Sequence, residues 1–202
     1  MSSRAEILAS VRANLPSLDR PLPEVPLFDA NPPASLVAAF QKSLQRMGGL
    51  WLDPANEADP LAPVRERIAG VKVVCSTVPE FAGNRDIERV GAPQELADVD
   101  LAIVRAAFAV AETGSVLLGD ENLKVNAVAY LSQHLIVLLD PADIVLNLHH
   151  AYCRREFRDR HYAAFHTGPS ATADIEGVLI HGAQGVRSLS VILAQRAPAS
   201  AG

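Results

Sequence analysis

From Asp100 onward, short apolar runs alternate with stretches of helical spacing. The runs at 101–104, 116–118, 134–139, 144–145, 162–166 and 189–193 are apolar on consecutive positions or nearly so, as strands buried on both faces are. Residues 106–111 carry the apolar pattern on into Glu112-Thr113-Gly114-Ser115. Between the runs, 122–132, 147–157 and 172–180 predict helices. Upstream, 36–44 forms a helical face beginning near Ser35 and ending at Gly48-Gly49. Residues 50–52 and 71–75 predict strands, 56–69 a helix with Pro60 and Pro63 near its start, and 79–93 a mostly irregular segment. Alternation of this kind predicts an α/β domain with a largely parallel sheet covered on both faces.

The first residues differ. Ile7, Leu8, Val11 and Leu15 keep helical spacing over 3–15, and six prolines between Pro16 and Pro33 then make an extended linker. A helix with an apolar stripe on such a linker must dock on its own domain or on a partner.

Composition narrows the classes. With 49% hydrophobic and 20% charged residues the chain has ample material for a core. A net charge of −5, with no Lys/Arg run, gives no footprint for nucleic acid. No segment approaches the roughly 18 apolar residues of a membrane span, and the N-terminus lacks the apolar core of a signal peptide. Cys75 and Cys153 stand apart, which fits a reduced, cytoplasmic protein.

Ligands of open α/β sheets bind beyond the carboxyl ends of the strands, and that rule selects the polar candidates. Glu112 ends an apolar run beside a tight turn. Apolar flanks would desolvate its carboxylate, raise its pKa and suit it to acid–base or nucleophilic work. The string Gly168-Pro169-Ser170-Ala171-Thr172-Ala173-Asp174-Ile175-Glu176 reads as a strand end followed by a capped helix. Ser170 and Thr172 are then cap candidates, with Asp174 and Glu176 in the first turns. The loop Gly182-Ala183-Gln184-Gly185 can turn backbone N–H groups toward an anion.

The six histidines form no H-x-x-x-H or H-E-x-x-H motif, so a structural or surface role is expected, least firmly for His134 and His181. His161 and His166 fall five apart on one strand and face opposite ways. Two cysteines cannot hold an iron–sulfur cluster, which takes four thiolates. No metal site is expected in this chain, and neither G-x-x-x-x-G-K-[ST] nor G-x-G-x-x-G occurs.

Glu112-Thr113-Gly114, then His134 opening an apolar strand, then G-P-S-x-T-A-D-I-E resemble the LUD-domain family, specifically its LutC/YkgG lactate-utilization proteins. The likeness runs from about Ser35 to Leu193, and Glu6-Ile7-Leu8 also resembles the family's start. It implies a NagB/RpiA/CoA-transferase-like α/β fold. The organisation becomes an N-terminal helix and Pro-rich linker over 1–34, a LUD domain over 35–196, and a flexible tail over 197–202. It also implies membership of a system oxidising L-lactate to pyruvate, with the iron–sulfur clusters in partner proteins and no cofactor bound by this chain. The ligand-binding candidates are Thr113, Gly114, Ser115, His134, Gly168, Ser170, Thr172, Asp174, Glu176 and Gln184, with Glu112 as the catalytic candidate. Ser170 and Thr172 are better placed than the two acids to touch a small anionic ligand. One departure stands out: where the family has G-V-H-G-P, this chain reads Gly182-Ala183-Gln184-Gly185-Val186. The alternative is a stand-alone enzyme or sensor for an acyl-CoA or a small phosphorylated or hydroxy acid. A homo-oligomer is compatible with either reading.

Overall fold

The computed structural model describes residues 3–15, 23–54, 56, 58–174 and 176–196. The expected C-terminal tail, Ile175, and Pro16 and Pro21 of the linker lie outside the described residues.

In chain order the elements are α1 (Ser3–Ala13), α2 (Leu36–Arg46), β1 (Leu50–Leu52), α3 (Ala62–Ile68), β2 (Val74–Ser76), β3 (Leu101–Arg105), β4 (Phe108–Val110) and β5 (Ser115–Gly119). There follow α4 (Asp120–Leu123), α5 (Val128–Leu131), β6 (His134–Leu139), β7 (Ile144–Val145), α6 (Leu148–Cys153), α7 (Arg155–Arg158), β8 (Ala163–His166), β9 (Ala171–Thr172), β10 (Ile180–His181) and β11 (Ser188–Leu193).

Five strands form an all-parallel sheet in the order β1-β11-β6-β3-β2. A second sheet, β7-β4-β5-β8, is antiparallel except where β7 meets β4. Pleating sorts the side chains into layers, because successive residues point to opposite faces. Leu101 and Ile103 of β3, with Ile136 and Leu138 of β6, pack with Val64 of α3. Ala102, Val104, Leu135 and Val137 face the other way, onto Phe40 and Leu44 of α2 and onto Ala109, Val116 and Leu118 of the second sheet. The outer face of that sheet, Phe108, Val110 and Leu117, is covered by Ala151 of α6 and Phe157 of α7. The predicted mostly parallel sheet is therefore present, with a second sheet as well as helices covering it.

Several predicted helices are shorter. Residues 56–69 become helical only from α3, whose N1/N2 positions include proline, as suits a helix start. Residues 122–132 divide into α4 and α5, because Lys124 takes a positive φ of 62°. Residues 147–157 divide at Arg154, which is extended.

The helix predicted over 172–180 is absent: β9 and β10 form an antiparallel hairpin there. Glu176 and Gly177 both take positive φ at its tip, and Ser170 is fastened by backbone bonds to Val186 and Gly182. Val178 and Leu179 are exposed, so no burial against the core favours a helix there. Ser170 and Thr172 are accordingly not helix caps; Thr172 Oγ1 instead accepts from the Asp174 N–H at 3.3 Å.

The N-terminal helix forms over 3–13 with no buried residue, and Ile7 and Val11 are exposed. Part of the linker is held: Asn147 Nδ2 donates to the carbonyls of Leu27 at 2.7 Å and Phe28 at 3.3 Å. The Phe28 ring lies 4.7 Å from that of His149. Among the described residues, no helix is long and apolar enough to cross a membrane.

Candidate functional site

Glu112 sits on the turn joining β4 to β5. Gly114 closes this turn through its N–H to the Val110 carbonyl at 2.9 Å, with φ +71°. A Cβ on Gly114 would lie 2.2 Å from the Leu44 nitrogen, so glycine alone lets the turn press against α2. Ser43 Oγ donates to the Glu112 carbonyl at 3.1 Å, and Glu112 Oε2 accepts from the Leu148 N–H at 3.2 Å. The carboxylate is exposed. The desolvation expected from its apolar neighbours is missing, because those neighbours turn into the sheet core while the turn projects from it.

Glu112 lines a pocket of about 390 Å³ together with Lys42, Ser43 and Arg46 of α2, Asn147, and Phe28 of the linker. Lys42 and Arg46 are one helical turn apart and share a face. Among the described residues neither forms an ion pair. The pocket thus gathers two uncommitted cations and a carboxylate under the linker.

A chain of hydroxyls leads away from it. Thr113 Oγ1 bonds Ser115 Oγ at 2.7 Å, which bonds Thr167 Oγ1 at 2.5 Å. Gly168 follows, with φ +67°, and a Cβ there would meet the Met47 carbonyl at 2.2 Å. Both sequence motifs therefore pack against the C-terminal end of α2 through a glycine.

Beyond Gly168 lies a second cavity of about 270 Å³, lined among others by Tyr130, Phe165, His166, Ser170, Gln184 and Val186. The Ser170 N–H donates to Val186 at 2.9 Å, and the Gly182 N–H to Ser170 at 2.6 Å, which brings the two loops together. Burial lowers the His166 pKa to about 4. Tyr130 shares a hydrogen bond with Tyr162. Burial, aided by that bond, raises the Tyr162 pKa.

The remaining candidates are elsewhere. His134 is exposed and bonds Ser188 Oγ at 2.8 Å through Nδ1. Asp174 and Glu176 are exposed on the β9–β10 hairpin, and neither they nor Thr172 and His134 line the two cavities.

The second cavity is flanked by the segments entering β6 and β11, hence by the amino edge of the parallel sheet. The carboxyl edge, where a ligand was expected, is stitched by arginines instead. Arg105 pairs with Glu80 and donates to the Ala194 carbonyl at 2.7 Å. Arg196 pairs with Asp143 at 2.9 Å and donates to the carbonyls of Ala106 and Ala107. Its backbone N–H bonds Asp140, which lowers the pKa of that carboxyl. A pocket of about 390 Å³ at this edge, between Leu61 and Leu193, has Glu80 as its only charged lining residue. A larger depression of about 550 Å³ is walled by Arg154, Arg155 and Arg160, each already paired to an acid.

Lys42, Arg46, Asn147, Tyr130 and His166 are site residues that the motifs do not mark. The i,i+4 spacing of Lys42 and Arg46 is legible in the sequence, but nothing in it says what they face. Among the described residues no three His, Cys, Asp or Glu side chains are grouped as a metal would need. Cys75 is buried, which raises its pKa to about 11, and Cys153 is exposed.

The sequence profile of the family described as LUD domain matches residues 65–194. A crystal structure of a DUF162 family protein from Deinococcus radiodurans, at 1.70 Å resolution, superposes with a TM-score of 0.58. The alignment covers 78% of this chain and 95% of that one at 16% identity, a likeness of fold. No curated protein matches the chain.

Proposed function

The chain belongs to the LUD-domain family, and from that premise we propose that it is a non-redox subunit of a cytoplasmic system that oxidises L-lactate to pyruvate. The observation that carries this reading is the family match across 65–194, which runs from α3 through the last strand. Oxidation of a 2-hydroxy acid to a 2-oxo acid releases two electrons and two protons. Clusters in iron–sulfur partners would take the electrons, since two isolated cysteines cannot supply the four thiolates of a cluster. Gentle affinity purification of this chain from lactate-grown cells is expected to bring down proteins with C-x-x-C-x-x-C motifs. Recovery of the chain alone would overturn the assignment.

The Glu112 pocket favours a second reading, in which the chain itself binds a small organic acid as a stand-alone enzyme or sensor. Lys42 and Arg46 supply charge for a carboxylate or phosphate, and Glu112 can accept from a hydroxyl next to it. Calorimetric titration with L-lactate, coenzyme A and inorganic phosphate tests this. Glu112→Gln and a Lys42→Gln/Arg46→Gln pair should each weaken the bound acid roughly tenfold or more. No binding of any of the three, or binding that these variants leave unchanged, removes this reading.

A further inference from the structure

We infer that the cavity at His166 is a second binding site, which takes a small uncharged molecule carrying both hydrogen-bond donors and acceptors. The His166 side chain carries an orphaned atom. Among the described residues, two buried side-chain polar atoms lack a hydrogen-bond partner: His166 Nε2 and a nitrogen of Arg160. The arginine is ion-paired with Glu121, which leaves the imidazole as the unexplained case. A buried polar group without a partner is costly, and native proteins leave few of them. His166 is also among the residues that line the cavity.

The lining gives the class of ligand. No Lys, Arg, Asp or Glu is among its residues. The imidazole does not replace a cation either, because desolvation holds it neutral down to about pH 4. An ion entering there would lose its water without meeting an opposite charge. A neutral imidazole instead offers one N–H and one lone pair. The hydroxyl of Ser170 and the amide of Gln184 form no hydrogen bond among the described residues and add a donor and an acceptor each. Tyr130, whose ring is 5.2 Å from that of His166, stands with Phe165 and Val186 as the apolar wall for a carbon skeleton. Gln184 is exposed while Gly168 and Val186 are buried, so the cavity runs inward from the surface. At about 270 Å³ it is near the lower bound of ligand pockets, about 300 Å³, which limits the occupant to a few carbons. The site shares no lining residue with the Glu112 pocket and stands apart from the lactate assignment.

The test uses the full chain with ¹⁵N-labelled histidine. L-lactamide is the uncharged probe and L-lactate the charged one, and the His166 signals are identified by their loss in His166→Phe. Lactamide is expected to shift the His166 ring nitrogens saturably, with lactate at least roughly tenfold weaker there. His166→Phe keeps an aromatic ring in β8 and should lose lactamide affinity by roughly tenfold, read by calorimetry. Gln184→Leu, at an exposed loop position, should weaken it several-fold without touching the core. Ring nitrogens unmoved by lactamide, equal affinity for lactate at this histidine, or Gln184→Leu without effect would each overturn the proposal.

Discussion

Two glycines and two cysteines show how far single side chains are governed by what they touch. Gly114 and Gly168 both take left-handed backbone angles and both leave no room for a Cβ against α2. Gly114→Ala combines the αL penalty with a clash against backbone that cannot step aside, and should cost about 3 kcal/mol or more in urea unfolding. A loss below about 1 kcal/mol would mean that the turn does not press on α2 as described. Cys75 and Cys153 differ in environment alone. Cys75, buried with its pKa raised to about 11, presents almost no thiolate at pH 8, whereas Cys153 is exposed. Iodoacetamide on the native protein at that pH should modify Cys153 and spare Cys75 until denaturant is added, as peptide mass mapping would reveal.

Among the elements, α6 and the linker are joined through one residue. The Asn147 oxygen caps α6 by accepting from the His150 N–H at 3.1 Å, while its amide nitrogen holds the carbonyls of Leu27 and Phe28. Asn147→Asp keeps the capping acceptor and turns the linker contact into oxygen against oxygen. Proteolytic cleavage within residues 23–33 should then quicken by roughly tenfold, the worth of one or two lost hydrogen bonds, with α6 protection little changed. Equal cleavage in both proteins would show that Phe28 on His149 suffices to hold the strap. The hairpin at 171–181 teaches the complementary lesson. Its residues look like a capped helix start, yet two positive φ angles and the tie from Ser170 to Val186 decide for a turn.

At the scale of the whole molecule, the two stacked sheets bury one face of β5 and leave its neighbour β8 to wall the second cavity, so His166 titrates against global folding. Its folded pKa is about 4, and a histidine in the unfolded chain titrates near 6.5. Between those values the unfolded state binds the proton and the folded state does not. Stability therefore falls as the pH drops from about 6.5 to 4, by a total on the order of 3 kcal/mol, and this contribution is flat outside that window. Subtracting the pH profile of His166→Phe from that of the wild type isolates the effect from the carboxylates. A difference that stays level across pH 4–6.5 in chemical denaturation would contradict the burial of this ring.

The sequence by itself determined most of the elements and the class of fold. The strands at 134–139 and 144–145 stand at their predicted bounds, because consecutive apolar residues that must be buried on both faces admit little else. The family motifs were legible for the same reason that Gly114 and Gly168 are glycines: local backbone geometry demands a particular residue type. Tertiary structure decided what those motifs meet. Pairing between distant segments puts Glu112 under the linker beside Lys42 and Arg46, moves Thr172, Asp174 and Glu176 out to a hairpin, and leaves His134 at a sheet edge. It also closes the carboxyl edge with Arg105 and Arg196 and opens a cavity beside His166 at the other end. Periodicity records which side of an element is buried, whereas a site is made by side chains from elements far apart in the chain, and no spacing along one strand or helix encodes that meeting.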